Sequence, residues 1–135
     1  MALQFSAAVR NARLDTIEST IGTSAVLKIR TGAPPATVAT ADSGTVLATL
    51  SLPSDWMAAA SGGSKAKSGT WEDTSADASG TAAHFRIYAS DGTTAHIQGT
   101  VTATGGGGDM TVDNTTFASG QSFTVTSFAI TDGNA

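Results

Sequence analysis

Cysteine is absent from this chain, which removes disulfide staples and thiolate metal sites together and leaves the redox compartment open. Histidine occurs only twice, as His84 and His96, and a structural or catalytic zinc site needs three or four ligands. No apolar run approaches the roughly 20 residues that span a bilayer. The start, MALQFSAAVRNAR, lacks the charged-then-apolar pattern of a secretion signal. These absences predict a soluble protein made in the cytoplasm, with no membrane partner. Large apolar residues are scarce as well: Val, Ile, Leu and Phe make up 24 of 135 residues, and the nominal 40% hydrophobic content is inflated by 24 alanines. So light a core signals disorder only when net charge is high. Here it is −4, and several segments alternate clearly, so the expectation is one folded, core-poor domain over 1–135 that leans on neighbours for stability. Basic residues are also thin in the second half, where Arg86 stands alone against seven acids in 72–135, while 1–71 hold six Lys/Arg against four Asp/Glu. No clustered basic face for nucleic acid follows from that distribution, although complementary contacts between copies do.

What is present is mostly β-pattern. In AHFRIYASDGTTAHIQGTV, residues 83–101, Phe85, Ile87 and Ala89 alternate with His84, Arg86 and Tyr88, and Ala95, Ile97, Gly99 and Val101 alternate with His96, Gln98 and Thr100. A hairpin with both apolar faces on one side requires an odd loop, and Ser90-Asp91-Gly92 supplies it, with Gly92 at the left-handed position. The predicted pairs are Phe85 with Ile97, Ile87 with Ala95, Arg86 with His96 and Tyr88 with Thr94. The polar set is predicted to face solvent or a neighbour.

Residues 6–21 read as the one helix, capped by Ser6, stopped by Gly22, and apolar along the narrow stripe of Leu14, Ile17 and Ile21. The N-terminal segment and helix thus occupy 1–22 and the β-region 23–135. SAVLKIR is a strand with Lys28 and Arg30 outward, the paired Pro34-Pro35 break it, and 45–52 form the next strand. Trp56 to Ala60 read as a helical turn and SGGSKAKSG as a flexible basic loop. Trp71 marks a strand, and TGGGGD reads as the turn of a second hairpin, with Val101 opposite Val112 and Ala103 opposite Met110. In QSFTVTSFAIT the apolar phase changes from Phe123 and Val125 to Phe128 and Ile130, which predicts a bulge near Ser127. The pattern as a whole predicts an antiparallel β-sandwich or jelly roll of about seven strands with one N-terminal α-helix.

Candidate chemistry is sparse. Glu72-Asp73-Asp77 and Asp109 with Asp113 offer carboxylates for sugar cleavage or calcium, but they lie where turns favour Asp in any case. GGGGD lacks the Lys-Ser/Thr and helix of a phosphate loop, and no Ser sits in a G-x-S-x-G elbow. No enzymatic activity and no cofactor are expected. Trp56 and Met57 either plug the end of the sheet or anchor a partner, and Lys65 and Lys67 form either a solvated loop or an arm reaching an acidic neighbour.

Four blocks, FSAAVRNARLDTIESTIGTSAVLKIRTG, LPSDWMAAASGGSKAKSGTW, FRIYASDGTTAHIQGTV and GGGGDMTVDNTTFASGQSFTVTSFAIT, resemble small structural proteins of tailed bacteriophages and their prophage relatives. The resemblance covers nearly the whole chain. It implies a virion component, of capsid or tail, with no catalytic residues to carry over; the preferred version is a capsid decoration or cement protein bound to the major capsid protein and to copies of itself as a homo-oligomer. A tail tube, terminator or fibre-associated subunit bound to tail proteins is the alternative. Leu3, Phe5, Arg10, Arg13, Trp56, Met57, Lys65 and Lys67 are then the expected partner interface. A carbohydrate-binding module is a further reading, with Tyr88 as the outward-facing aromatic.

Overall fold

The computed structural model describes residues 2–135. Ser6 accepts a hydrogen bond from the Val9 amide and opens helix α1 (Ala7–Ile21), which Gly22 ends at φ +91°. Leu14 and Ile21 are buried, and Ile17 packs against the core, so the predicted stripe is the face that docks.

The remaining elements are β1 (Val26–Arg30), β2 (Val46–Ser51), β3 (Ser64–Ala66), β4 (Glu72–Asp73), β5 (Gly80–Thr81), β6 (His84–Tyr88), β7 (Ala95–Ala103), β8 (Met110–Val112), β9 (Thr116–Phe117) and β10 (Phe123–Thr131). They form an eight-stranded sheet in the order β2-β1-β6-β7-β8-β10-β3, with β4 also on β10, plus the two-stranded pair β5-β9. The fold is therefore mainly β with one N-terminal helix. The sheet is mixed, where an all-antiparallel arrangement is the sequence expectation. β7 and β8 run parallel, Val101 beside Met110 and Ala103 beside Val112, so TGGGGD does not turn a hairpin. Gly106 and Gly108 let this connection fold flat onto the end of β7, because a Cβ at either would stand within 3 Å of the Thr102 side chain.

The sheet curls. At the end of β4 and just after it, the Asp73 and Asp77 carboxylates accept from the Thr49 amide and hydroxyl on β2, and the Asp77 amide donates to the Leu47 carbonyl, so the far edge of the sheet is tied back to its first strand. Leu47 is the extra residue of a bulge, since Ile29 pairs with Ala48 and Arg30 with Val46, and it is buried beside Ala48. Inside, Trp56, Trp71, Phe128 and Phe85 form a chain of rings with successive centroids 6.1, 5.6 and 5.5 Å apart. Four large aromatics compensate for the scarcity of aliphatic side chains, each removing far more surface from water than an alanine can. The bulge in β10 falls where the phase change predicts it: Val125 pairs with Val112 and Ser127 with Thr111.

The β6–β7 hairpin keeps the predicted phase but slides by two residues. Ile87 faces Ile97 and Phe85 faces Gly99, with a bulge near the turn. Ala89 and Thr94 close a loop of four residues, in which the Gly92 amide donates to Ala89. The cause lies at Gly99: a Cβ there would stand 2.8 Å from Phe85 Cε1 and 2.8 Å from Asp109 Oδ2. The glycine gives the Phe85 ring a place over the neighbouring strand that no other residue leaves free. His96 becomes the extra, exposed residue.

The 54–69 segment also departs from expectation. No helical turn forms at Trp56, and SGGSKAKSG is ordered: Met57 bridges Lys67, Ser61 bridges Ser64 across Gly62-Gly63, and β3 pairs with β10. Among the described residues no helix is long and apolar enough to cross a membrane.

Candidate functional site

The outer face of β1 and β6 carries the densest polar chemistry in the molecule, and it is covered. Period-2 alternation places Arg30, His84, Arg86 and Tyr88 on the side opposite the core, where exposure is expected. All four are buried instead, because residues 31–45 fold back over them as a strap. Pro34 and Pro35 cannot extend the ladder, so the chain leaves β1 and crosses the face before entering β2.

Asp42 anchors the strap. Its carboxylate accepts from Arg86 Nη1 at 2.7 Å, Arg30 Nη2 at 2.8 Å and the Tyr88 hydroxyl at 2.8 Å. Arg86 Nη2 donates to the Thr37 and Thr40 carbonyls at 3.0 and 2.8 Å, Gln98 Nε2 to the Pro35 carbonyl at 2.8 Å, and Arg86 Nε to Gln98 Oε1. His84 Nδ1 lies 2.6 Å from the Gly32 carbonyl. Burial works to raise the Asp42 carboxyl, but the hydrogen bonds from Tyr88 and Arg86 and the two guanidinium charges prevail and hold it below the usual range. Burial, reinforced by Asp42, pushes the Tyr88 phenol up. The arrangement fastens a loop: both Asp42 oxygens are occupied and Tyr88 is inaccessible, so Tyr88 is not the outward sugar platform of the sequence reading.

The expected interface residues separate into two groups. Trp56, Met57 and Lys65 are interior, each 2% exposed or less. Trp56 Nε1 donates to the Gly22 carbonyl and the Met57 amide to Glu18 Oε1. The Lys65 ammonium sits 2.7 Å from Asp15 Oδ1 and 3.0 Å from Glu18 Oε2. Burial lowers the Lys65 pKa, yet its bonds to Asp15 and Glu18 outweigh burial and raise it, while the bond from Lys65 lowers Asp15. The acidic neighbour that Lys65 reaches is thus the polar face of its own helix, and the plug is the alternative that Trp56 and Met57 adopt. Lys67 is half-buried, donating to the Gly69 carbonyl and lying 6.0 Å from the Trp71 ring centroid. Arg10 is half-buried over the Gly63 turn and donates to the Asp132 carbonyl.

Leu3, Phe5 and Arg13 remain at the surface, and the structure brings them together. Residues 2–5 run beside the C-terminal residues, the Phe5 amide donating to Asn134 at 2.6 Å. Arg13 stands 5.1 Å over the Phe5 ring and 3.1 Å from Asp132. Leu3, in the extended segment before the helix, is 70% exposed, and Val9, in the first turn of α1, 44%. Sequence reasoning passes over Val9, although its position off the Leu14–Ile17–Ile21 stripe marks it as facing away from the core. Beside this surface, a groove of about 600 Å³ separates α1 from β7 and β10, with Ile17, Ile97 and Ile130 along it and Arg13, His96 and Asp109 among its polar lining residues.

Comparison with known proteins identifies no matching family model, no matching curated protein and no matching solved structure. Function is therefore argued from the residues. Those on the N-terminal surface combine exposed aliphatic side chains with an aromatic ring and a guanidinium, a composition suited to protein contacts.

Proposed function

We propose that this chain is a non-enzymatic structural subunit of a tailed-bacteriophage particle, made in the host cytoplasm and bound on the virion as a capsid decoration or cement protein. Its partners in this reading are the major capsid protein and further copies of itself. The sequence resemblance supplies the particle. The observation that carries the contact is that Leu3 and Val9, the exposed large apolar side chains among the described residues, both belong to the N-terminal segment and first helical turn, where Arg13 stands over Phe5. Apolar side chains held this far out of a core-poor domain gain from a neighbour's surface what the interior does not provide. The expected sandwich or jelly roll belongs to the same proposal: a curled sheet with its edges tied through Thr49, Asp73 and Asp77 supports it by bringing strands from opposite ends of the sheet into contact.

Leu3→Asp tests the contact. Burying a leucine is worth about 1.5–3 kcal/mol, so the substitution is expected to weaken attachment to undecorated shells about tenfold or more while the free chain keeps its unfolding midpoint. Removing residues 2–5 is expected to act in the same direction. Unchanged incorporation of both variants would sink the assignment of this surface.

A further inference from the structure

His84 is fully buried, and its two ring nitrogens have different circumstances. Nδ1 lies 2.6 Å from the Gly32 carbonyl. A carbonyl only accepts, so Nδ1 carries the hydrogen and Nε2 bears the lone pair of a neutral ring. Nε2 is buried without a partner. Protonation would create an N–H at that atom with no acceptor to receive it, a costly arrangement in a buried site.

The surrounding charges make the cost larger. Arg30 stands opposite His84 on β1 and Arg86 follows on the same face of β6. The strap contributes Asp42, already shared between Arg30, Arg86 and Tyr88. Tyr88 and Lys28 lie further along the face, with the Lys28 ammonium bound to the Gly92 carbonyl and 5.0 Å from the Tyr88 ring centroid. From β7 come Thr100, opposite His84, whose hydroxyl is bound to Asp109, and Gln98, bound to Arg86; His96 is exposed on the bulge. A third cation at His84 would meet two guanidiniums, with Asp42 already shared among three donors.

We propose that His84 is the proton-sensitive latch of the 31–45 strap, its protonation releasing the strap from the outer face of β1 and β6 while the core side of the sheet remains folded. The strap is suited to separate opening because it is tied down by polar bonds to this face and lies outside the aromatic core. Release uncovers Arg30, Arg86 and Tyr88 on adjacent strands, a cationic and aromatic surface that the closed form hides. Burial first, and then the two arginines, draw the His84 pKa below its ordinary value, the Gly32 bond and the Asp42 charge opposing them. Asp42 is held low and stays ionised. The closed form therefore binds the proton less well than the open form. Opening is favoured as pH falls below about 6.5, by up to about tenfold per pH unit until the closed form itself protonates.

Amide hydrogen exchange, corrected for the intrinsic rate at each pH, tests the latch. Between pH 7.5 and 5.5 the protection of the Thr31, Thr40 and Thr45 amides is expected to fall about tenfold, while Leu27 and Ile87 keep theirs. His84→Asn retains a donor for Gly32 but takes up no proton, and is expected to abolish the fall; His96→Asn is expected to leave it intact. Unchanged strap protection in the native chain, or the same fall in His84→Asn, would overturn the proposal. Should His84→Asn not fold, the imidazole nitrogen spectrum of the native chain decides. The latch predicts a neutral Nδ1–H ring at pH 7.5 whose midpoint coincides with that of the strap amides, and a ring that stays neutral while the strap loosens contradicts it.

Discussion

Asp42 neutralises two buried guanidiniums at once, so its removal strands both. Breaking a fully buried pair costs about 3–5 kcal/mol, but the Asp42 side chain is 36% exposed and water reaches it. Asp42→Ala is therefore expected to lower the unfolding free energy by about 2 kcal/mol, read in urea, and Asp42→Asn by less because it still accepts from Tyr88. Gly99 is decisive for a steric reason: Gly99→Ala sets a methyl against Phe85 and Asp109 and is expected to cost about 1–3 kcal/mol, with Phe85→Leu in the same chain recovering part of it. Neither residue announces itself in the sequence. Asp42 sits in an Ala/Thr/Ser-rich stretch that reads as a plain loop, and two of its three partners, Arg86 and Tyr88, lie more than forty positions away on β6. Gly99 occupies an apolar slot of a regular alternation, where nothing local says that the opposite residue is a phenylalanine.

Elements whose cause is local are the ones legible from sequence. Ser6 and Gly22 bound α1 through hydrogen bonds to residues three and four positions away, β1 and β6 alternate cleanly toward the core, and the β10 bulge follows from the change of phase between Val125 and Phe128. The strap, the parallel β7–β8 pair and the fastening of 57–65 to α1 depend on distant contacts and escape a reading based on periodicity. That last fastening supplies a test. Lys65→Met keeps the aliphatic stem but leaves Asp15 and Glu18 without their cation, and is expected to lower stability by about 2 kcal/mol. Asp15→Asn added to it should cost clearly less than Asp15→Asn alone, because the two share one interaction. Additive losses in the double variant would show that α1 and β3 are held together by other contacts. The Lys65 contribution persists up to an ordinary lysine pKa of about 10.4 and fades as pH rises through its raised value.

On the scale of the whole molecule, a core with few aliphatic side chains is closed by four aromatic rings, a helix and a polar strap, and it leaves Leu3 and Val9 outside. The same distribution accounts for the candidate site. The interior took Trp56 and Met57, which sequence alone leaves open between plug and partner contact, and Lys65, left open between a solvated loop and an arm to an acidic neighbour, and the surface kept Leu3, Phe5 and Arg13. Under the proposed function a chain of this construction works by attachment to neighbours, and its copy number per virion would separate a shell role from a tail role. Quantitative mass spectrometry of purified virions measures that number directly. A stoichiometry comparable to that of the major capsid protein is expected; absence from the particle, or the few copies of a single tail ring, would contradict the proposed function.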